Sequence, residues 1–215
     1  SRCPTKTGSQ GAGGGDLVTE FDRELPEGYK MTELGPLPWE WEVVKLGDVG
    51  NVITGNTPSK RNKEYWENGE IDFIKPPDLQ NRTITTFSEK LSDKAINKAR
   101  IVKEGSVLVS CIGNIGRVGF ALKPVAFNQQ INAIITNNKI CNEFLFYVLQ
   151  AQQKQIENLA SFTTVPIVSK AKFITVKIPL PPLPEQRKIA AVLSAVQEAK
   201  EKTEAVISAA KSLKK

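Results

Sequence analysis

Residues 185–215 allow essentially one kind of structure. They contain no glycine and no proline, and Ala, Glu, Lys and Val dominate them. Within them Ile189, Val192, Val196, Ala199, Thr203, Val206, Ala210 and Leu213 recur in alternating steps of three and four. That alternation keeps side chains on one seam of a helix and is the spacing of a coiled coil. A helix over the whole stretch would be a rod roughly 46 Å long at 1.5 Å per residue. Just before it, Pro179-Leu180-Pro181-Pro182-Leu183-Pro184 packs four prolines into six positions. Each proline fixes φ and lacks an N–H, so this segment predicts a stiff extended junction rather than a helix or a central strand. The seam residues are small, and Leu193, Ile207, Ala195 and Ala209 widen the apolar stripe beyond a two-helix contact. The helix is therefore expected to meet more than one neighbour. The alternative is a long amphipathic helix folded back on its own domain, which the junction and the strict heptad disfavour.

Upstream the pattern is different. Residues 1–30 form a Gly-, Ser- and Thr-rich leader and an acidic strap with the turn signal Leu25-Pro26-Glu27-Gly28. Residues 31–180 read as short β segments between turns: Val43–Leu46, Ile71–Ile74, Arg100–Val102, Val107–Ile112, Arg117–Leu122, Gln130–Thr136 and Phe173–Ile178. Gly47-Asp48 marks a helix start, and residues 142–158 change to helical periodicity. The expected class is α+β: a sheet-rich domain over 31–180, then the proline junction and long coiled-coil helix over 181–215. No βαβ alternation suggests a parallel nucleotide-binding sheet.

Composition removes most chemistry. There is no histidine among the 215 residues, so Ser-His-Asp and Cys-His triads and histidine metal sites are out of reach. Cys3, Cys111 and Cys141 are too far apart for a zinc site and odd in number, which points to a reducing, cytoplasmic setting without a disulfide framework. Gly113, Gly116 and Gly119 fit neither the dinucleotide nor the P-loop spacing and read as turns between strands. Lys75-Pro76-Pro77-Asp78 is neither a methyltransferase tetrad nor, without an acid-x-Lys partner in the domain, a nuclease motif. No run of about 18 apolar residues offers a membrane span. The charge sum, 29 − 23 = +6, suits a polyanionic partner without requiring one.

Three motifs carry a family likeness. Trp41 to Val49 followed by Thr54-Gly55-Asn56-Thr57-Pro58-Ser59-Lys60 is the first. Gly105 to Gly113, Ile115-Gly116 and Asn128-Gln129-Gln130-Ile131-Asn132-Ala133 make the second. The third is Ile178 through the prolines to Glu185-Gln186-Arg187-Lys188-Ile189-Ala190. In order and spacing the chain resembles type I restriction-modification specificity subunits, in a half-length form with a single target-recognition domain. The resemblance implies a non-catalytic protein that reads one half of a split site in double-stranded DNA. It also implies docking to a methyltransferase subunit and a motor-nuclease restriction subunit. S-adenosylmethionine, ATP and Mg²⁺ are implied for those partners, and no cofactor for this chain. A standard subunit carries two recognition domains, so a single one implies a homodimer through the C-terminal helix. A different reading is a coiled-coil adaptor that holds methyltransferase subunits without reading bases; a standalone nuclease lacks its acid-lysine core.

A DNA reader needs cations for phosphates and amide or guanidinium groups for base edges. The densest such loop offers Thr54, Asn56, Thr57, Ser59, Lys60, Arg61 and Lys63. Asn114 and Arg117 flank the glycine turn. Gln129 and Gln130 have the chemistry to bond adenine bidentately, whereas Asn128 sits in a motif the family shares and reads as structural. Thr163, Thr164 and Lys170 belong to a polar stretch before the last predicted strand. For each of these, a solvated surface loop is the plainer alternative.

Overall fold

A computed structural model of the chain describes residues 25–79, 84, 89–161 and 164–212. The strands and helices are β1 Tyr29–Thr32, β2 Gly35–Pro38, β3 Glu42–Lys45, α1 Leu46–Val49, β4 Gly50–Thr54, β5 Ile71–Ile74, β6 Glu89–Leu91, β7 Ile101–Val102, β8 Val107–Ser110, β9 Val118–Phe120, β10 Val125–Phe127, β11 Ile131–Thr136, α2 Asn142–Ala151, α3 Gln153–Asn158, α4 Lys170–Phe173, β12 Lys177–Leu180 and α5 Leu183–Ser212. The class is α+β, as the strand and helix patterns of the sequence predict.

Two four-stranded sheets form the body, ordered β4-β11-β8-β9 and β6-β5-β10-β7. Strand periodicity sorts their side chains into layers. Val107, Val109, Val118 and Ile134 face a helical layer built from α1, α2, α4 and the start of α5. Their neighbours Leu108, Ile131 and Ala133 face the second sheet, against Ile74, Val102, Val125 and Phe127. Phe73 and Ala126 point out of the second sheet's far side, under Tyr65 and Trp66. The first sheet is thus covered on both faces, which is why β8 is buried at every residue and reads as an unbroken apolar run. Helix α2 buries Phe144, Leu145, Phe146, Val148 and Leu149 because it lies between that sheet and α5. Each such fully buried side chain contributes about 1.5–3 kcal/mol.

The proline segment does not form a separate extended linker. Pro179 lies within β12, which among the described residues pairs with β3 alone in a two-stranded ribbon, where a missing N–H can be tolerated. Pro184 occupies the first turn of α5, whose N–H groups have no intrahelical acceptor in any case. The junction reduces to Pro181-Pro182.

Other expected boundaries move for local reasons. The expected strand at Phe173 is a short helix, because the Ser169 side chain accepts the Lys172 N–H and starts a turn there. The single helix expected over 142–158 breaks at Gln152, giving α2 and α3. Gly119 lies in β9 rather than in a turn, and a Cβ there would come within 2.5 Å of Leu79 and 2.9 Å of Ile84.

Candidate nucleic-acid interface

Strand register places most of the expected reading residues at one pole. In the first sheet Thr54 pairs with Asn132, Ile131 with Ser110, and Val109 with Val118. The loops after β4, between β8 and β9, and between β10 and β11 therefore leave from the same end. In the second sheet Ile74 pairs with Phe127, Ala126 with Ile101, and Phe73 with Glu89, so Lys75, Asn128, Arg100 and Glu89 lie at that end too. The opposite end, where Gly50 pairs with Thr136, leads through residues 137–141 to the seat of α5.

The loop after β4 is held from both sides. The Gly55 N–H donates to the Ile131 carbonyl and the Asn56 N–H to the Phe127 carbonyl, each at 3.0 Å. A Cβ on Gly55 would stand 2.2 Å from the Asn128 carbonyl oxygen and 2.4 Å from that of Phe127, so only glycine allows this approach. On the other side Asn56 donates through Nδ2 to the Lys98 carbonyl and accepts the Arg100 N–H at Oδ1, both at 2.7 Å. Thr54 Oγ1 donates to Asn132 Oδ1 at 2.7 Å. Asn132 Nδ2 in turn lies 3.2 Å from Cys111 Sγ. Burial pushes the Cys111 thiol up to about 12 although that contact favours the thiolate, so it is an inert core group at neutral pH.

The turn between β10 and β11 presents one glutamine and restrains the other. Asn128 is buried; its Oδ1 accepts the Gln130 N–H at 3.1 Å and its Nδ2 donates to Gln130 Oε1 at 3.0 Å. Gln129 is exposed, and its Oε1 accepts from Thr57 Oγ1 at 2.7 Å. Gln129 and Thr57 therefore form the outward tip where two loops meet.

Further along the β4 loop the cations differ. Lys60 Nζ lies 3.3 Å from the Trp66 ring centroid and 2.5 Å from Glu89, which also takes Lys75 at 2.7 Å. Desolvation raises the Glu89 carboxyl, but the bonds from Lys60 and Lys75 outweigh it and hold it below the ordinary glutamate value. Lys60 is thus already engaged. Arg61 and Lys63 are exposed and, among the described residues, without an ion pair. The Ser59 carbonyl accepts the Trp66 indole N–H at 3.2 Å, which turns this residue toward its own loop.

Asn114 and Arg117 share a cleft of about 470 Å³ with Ile115, Gln153 and Asn158. Gly113 and Gly116 stand at φ 75° and 82°, so this turn needs glycine at both places. Thr164 is exposed two residues before Pro166, whose carbonyl accepts the Gly113 N–H at 3.0 Å. Lys170 is exposed at the start of α4. Thr163 and Leu213 lie outside the described residues.

At the far pole α5 is locked to the domain. The Gln186 side chain is fully buried. Its Oε1 accepts the Cys141 N–H at 2.8 Å, and its Nε2 donates to the carbonyls of Lys139 at 3.1 Å and Pro181 at 2.7 Å. Trp41 Nε1 donates to Glu185 at 3.1 Å, and Tyr147 Oη lies 3.2 Å from Ser194 Oγ. Of the seam, Ile189 packs against the domain core. Val192, Val196, Ala199, Thr203, Val206 and Ala210 are exposed. At about 100° per residue, the seam lies nearly half a turn round the helix from Gln186, Ala190 and Ser194.

Neither Lys98 nor Arg100 stands out in the sequence, yet Asn56 fixes the backbone of both beside the β4 loop. Among the described residues no group of three or more His, Cys, Asp and Glu side chains could hold a metal, and no helix is long and apolar enough to cross a membrane.

This arrangement defines a class: a sheet-built domain whose loops gather at one pole, with a long helical rod seated at the other. Residues 38–209 match the family model described as the type I restriction modification DNA specificity domain, and the chain belongs to that family. It is 34% identical over 173 residues to the type I restriction enzyme MjaIX specificity subunit of Methanocaldococcus jannaschii, covering 77% of this chain and 40% of that protein. To the HindI specificity subunit of Haemophilus influenzae it is 38% identical over 130 residues, covering 58% of this chain and 28% of that one. The fold is also that of the HsdS subunit from Thermoanaerobacter tengcongensis, with a TM-score of 0.64 at 23% identity over 85% of this chain and 43% of that one. The match spans about two fifths of the MjaIX and Thermoanaerobacter proteins and 28% of the HindI subunit, all of them longer than this chain.

Proposed function

We propose that the chain is a sequence-specific DNA-binding specificity subunit that reads one half of a bipartite site. The observation that carries this reading is the gathering of the β4, β8–β9 and β10–β11 loops at one pole of a domain of this family, with the rod anchored at the other. Gln129, Asn114 and Arg117 supply groups that suit base edges, and Arg61 and Lys63 suit phosphates. Methyltransferase and restriction subunits dock on the assembly, and S-adenosylmethionine, ATP and Mg²⁺ serve those partners. The chain itself is non-catalytic, and its setting is the cytoplasm.

The second half-site is read by a second copy. Val192, Val196 and Val206 are each more than 60% exposed, an apolar seam that a twin helix would cover. An antiparallel pair puts the two domains at opposite ends, so the DNA counterpart is two inverted half-sites with a fixed gap.

Purified chain incubated with S-adenosylmethionine and DNA, or with Mg²⁺ and DNA, is expected to show no methyl transfer and no cleavage. With the purified methyltransferase partner it is expected to bind one sequence in preference to scrambled DNA. Binding without any preference would favour the adaptor reading, and turnover by the chain alone would refute a non-catalytic role.

A further inference from the structure

We propose that Lys98 and Arg100 form a phosphate-contacting ridge of the DNA interface, an assignment that rests on the DNA-reading function above. Their placement is built rather than incidental. Asn56 uses both ends of its amide on the backbone of this segment, at the Lys98 carbonyl and the Arg100 N–H. Arg100 Nη1 donates to the Thr54 carbonyl at 2.5 Å, which holds the guanidinium over the start of the β4 loop. The same loop carries Thr57, bonded to Gln129. The Arg100 guanidinium and the Lys98 backbone are therefore held at the loop whose Thr57 meets the exposed Gln129.

Charge distribution separates this pair, together with Arg61 and Lys63, from the other cations nearby. Around the second sheet Lys60 and Lys75 meet Glu89, Lys90 and Lys123 meet the buried Asp72, and Lys94 meets Glu64. Lys98 and Arg100 are exposed and, among the described residues, pair with no carboxylate. Cations left uncompensated at the pole where the loops converge suit a polyanion. A phosphate backbone is the polyanion that a groove reader meets first, because backbone contacts set its register before base edges are read.

The test measures DNA affinity against salt with the methyltransferase partner present, for wild type and for two variants. One variant combines Lys98→Gln with Arg100→Gln. It leaves the Asn56 clamp untouched, since that clamp engages only main-chain atoms of residues 98 and 100. The other is Lys60→Gln, whose ammonium already lies against Glu89 and Trp66. The double variant should lower the slope of log affinity against log salt by about 2, and weaken binding similarly for cognate and scrambled DNA. Lys60→Gln should leave the slope nearly unchanged. Thermal unfolding of each variant is measured in parallel, and an unchanged midpoint is expected. A folded double variant with the wild-type slope would overturn the ridge while leaving DNA reading intact. A wild-type chain that binds no DNA would overturn both.

Discussion

Replacing Gln186 with leucine is expected to cost about 2–4 kcal/mol of stability, from the loss of partners to buried backbone groups. Leucine keeps roughly the volume but none of the hydrogen bonds. The Cys141 N–H and the carbonyls of Lys139 and Pro181 would each lose a partner held at 3.1 Å or less. The Pro181 contact is fully buried, so water does not readily replace it. Gln186→Glu should fare no better: it retains an acceptor for Cys141 but turns the two donor bonds into a carboxylate facing carbonyl oxygens. The midpoint of urea unfolding reads the effect directly, and a midpoint within error of wild type for Gln186→Leu would show that this contact does not hold α5. The bonds from Trp41 to Glu185 and between Tyr147 and Ser194 remain in both variants. The helix is therefore expected to loosen at its base rather than detach.

The second large effect concerns association. Changing Val196 and Val206 together to glutamate should leave the folded domain intact, because both side chains are mostly exposed: 63% and 68%. In a paired helix the same positions are buried, and an uncompensated carboxylate there is costly. Wild-type chain is expected to have the mass of a dimer at micromolar concentration, and the variant that of a monomer. Losing the second half-site removes the gain from bivalent binding, so affinity for the full DNA site should fall about 10²–10⁴-fold. A wild-type monomer, or a variant that stays dimeric, would reject α5 as the pairing surface.

The sequence shows its elements where local chemistry and tertiary packing agree. β5 matches its expected limits of Ile71 to Ile74, because apolar residues there run straight into Pro76. The long helix follows from its heptad, and its start differs only because prolines are compatible with a first turn. β10 was not expected: three residues between Pro124 and Asn128 carry too short a pattern, and the strand exists because β5 and β7 flank it. β4 was likewise hidden, since Gly50 and Asn51 disguise a strand that β11 pairs over five residues.

The candidate interface was legible loop by loop but not as a surface. Thr57 and Gln129 are 72 positions apart, and only strand register brings them together. Asn56 reads as a base-contacting amide, yet its amide is engaged with backbone 42 and 44 residues away. Lys60 reads as the loop's first phosphate ligand, whereas Trp66 and Glu89 hold it. Conversely, nothing local distinguishes Lys98 and Arg100 from solvated charges; their place depends on the Asn56 clamp. Chemical type was readable from the sequence, but whether a polar group is free depends on long-range pairing.

The most direct test of sequence reading is a selection from randomised duplex DNA, using the wild-type chain assembled with its methyltransferase partner. Enrichment of two inverted copies of one short half-site is expected, separated by a gap of fixed length and unselected sequence. Enrichment of no sequence, or of a single asymmetric site, would contradict it.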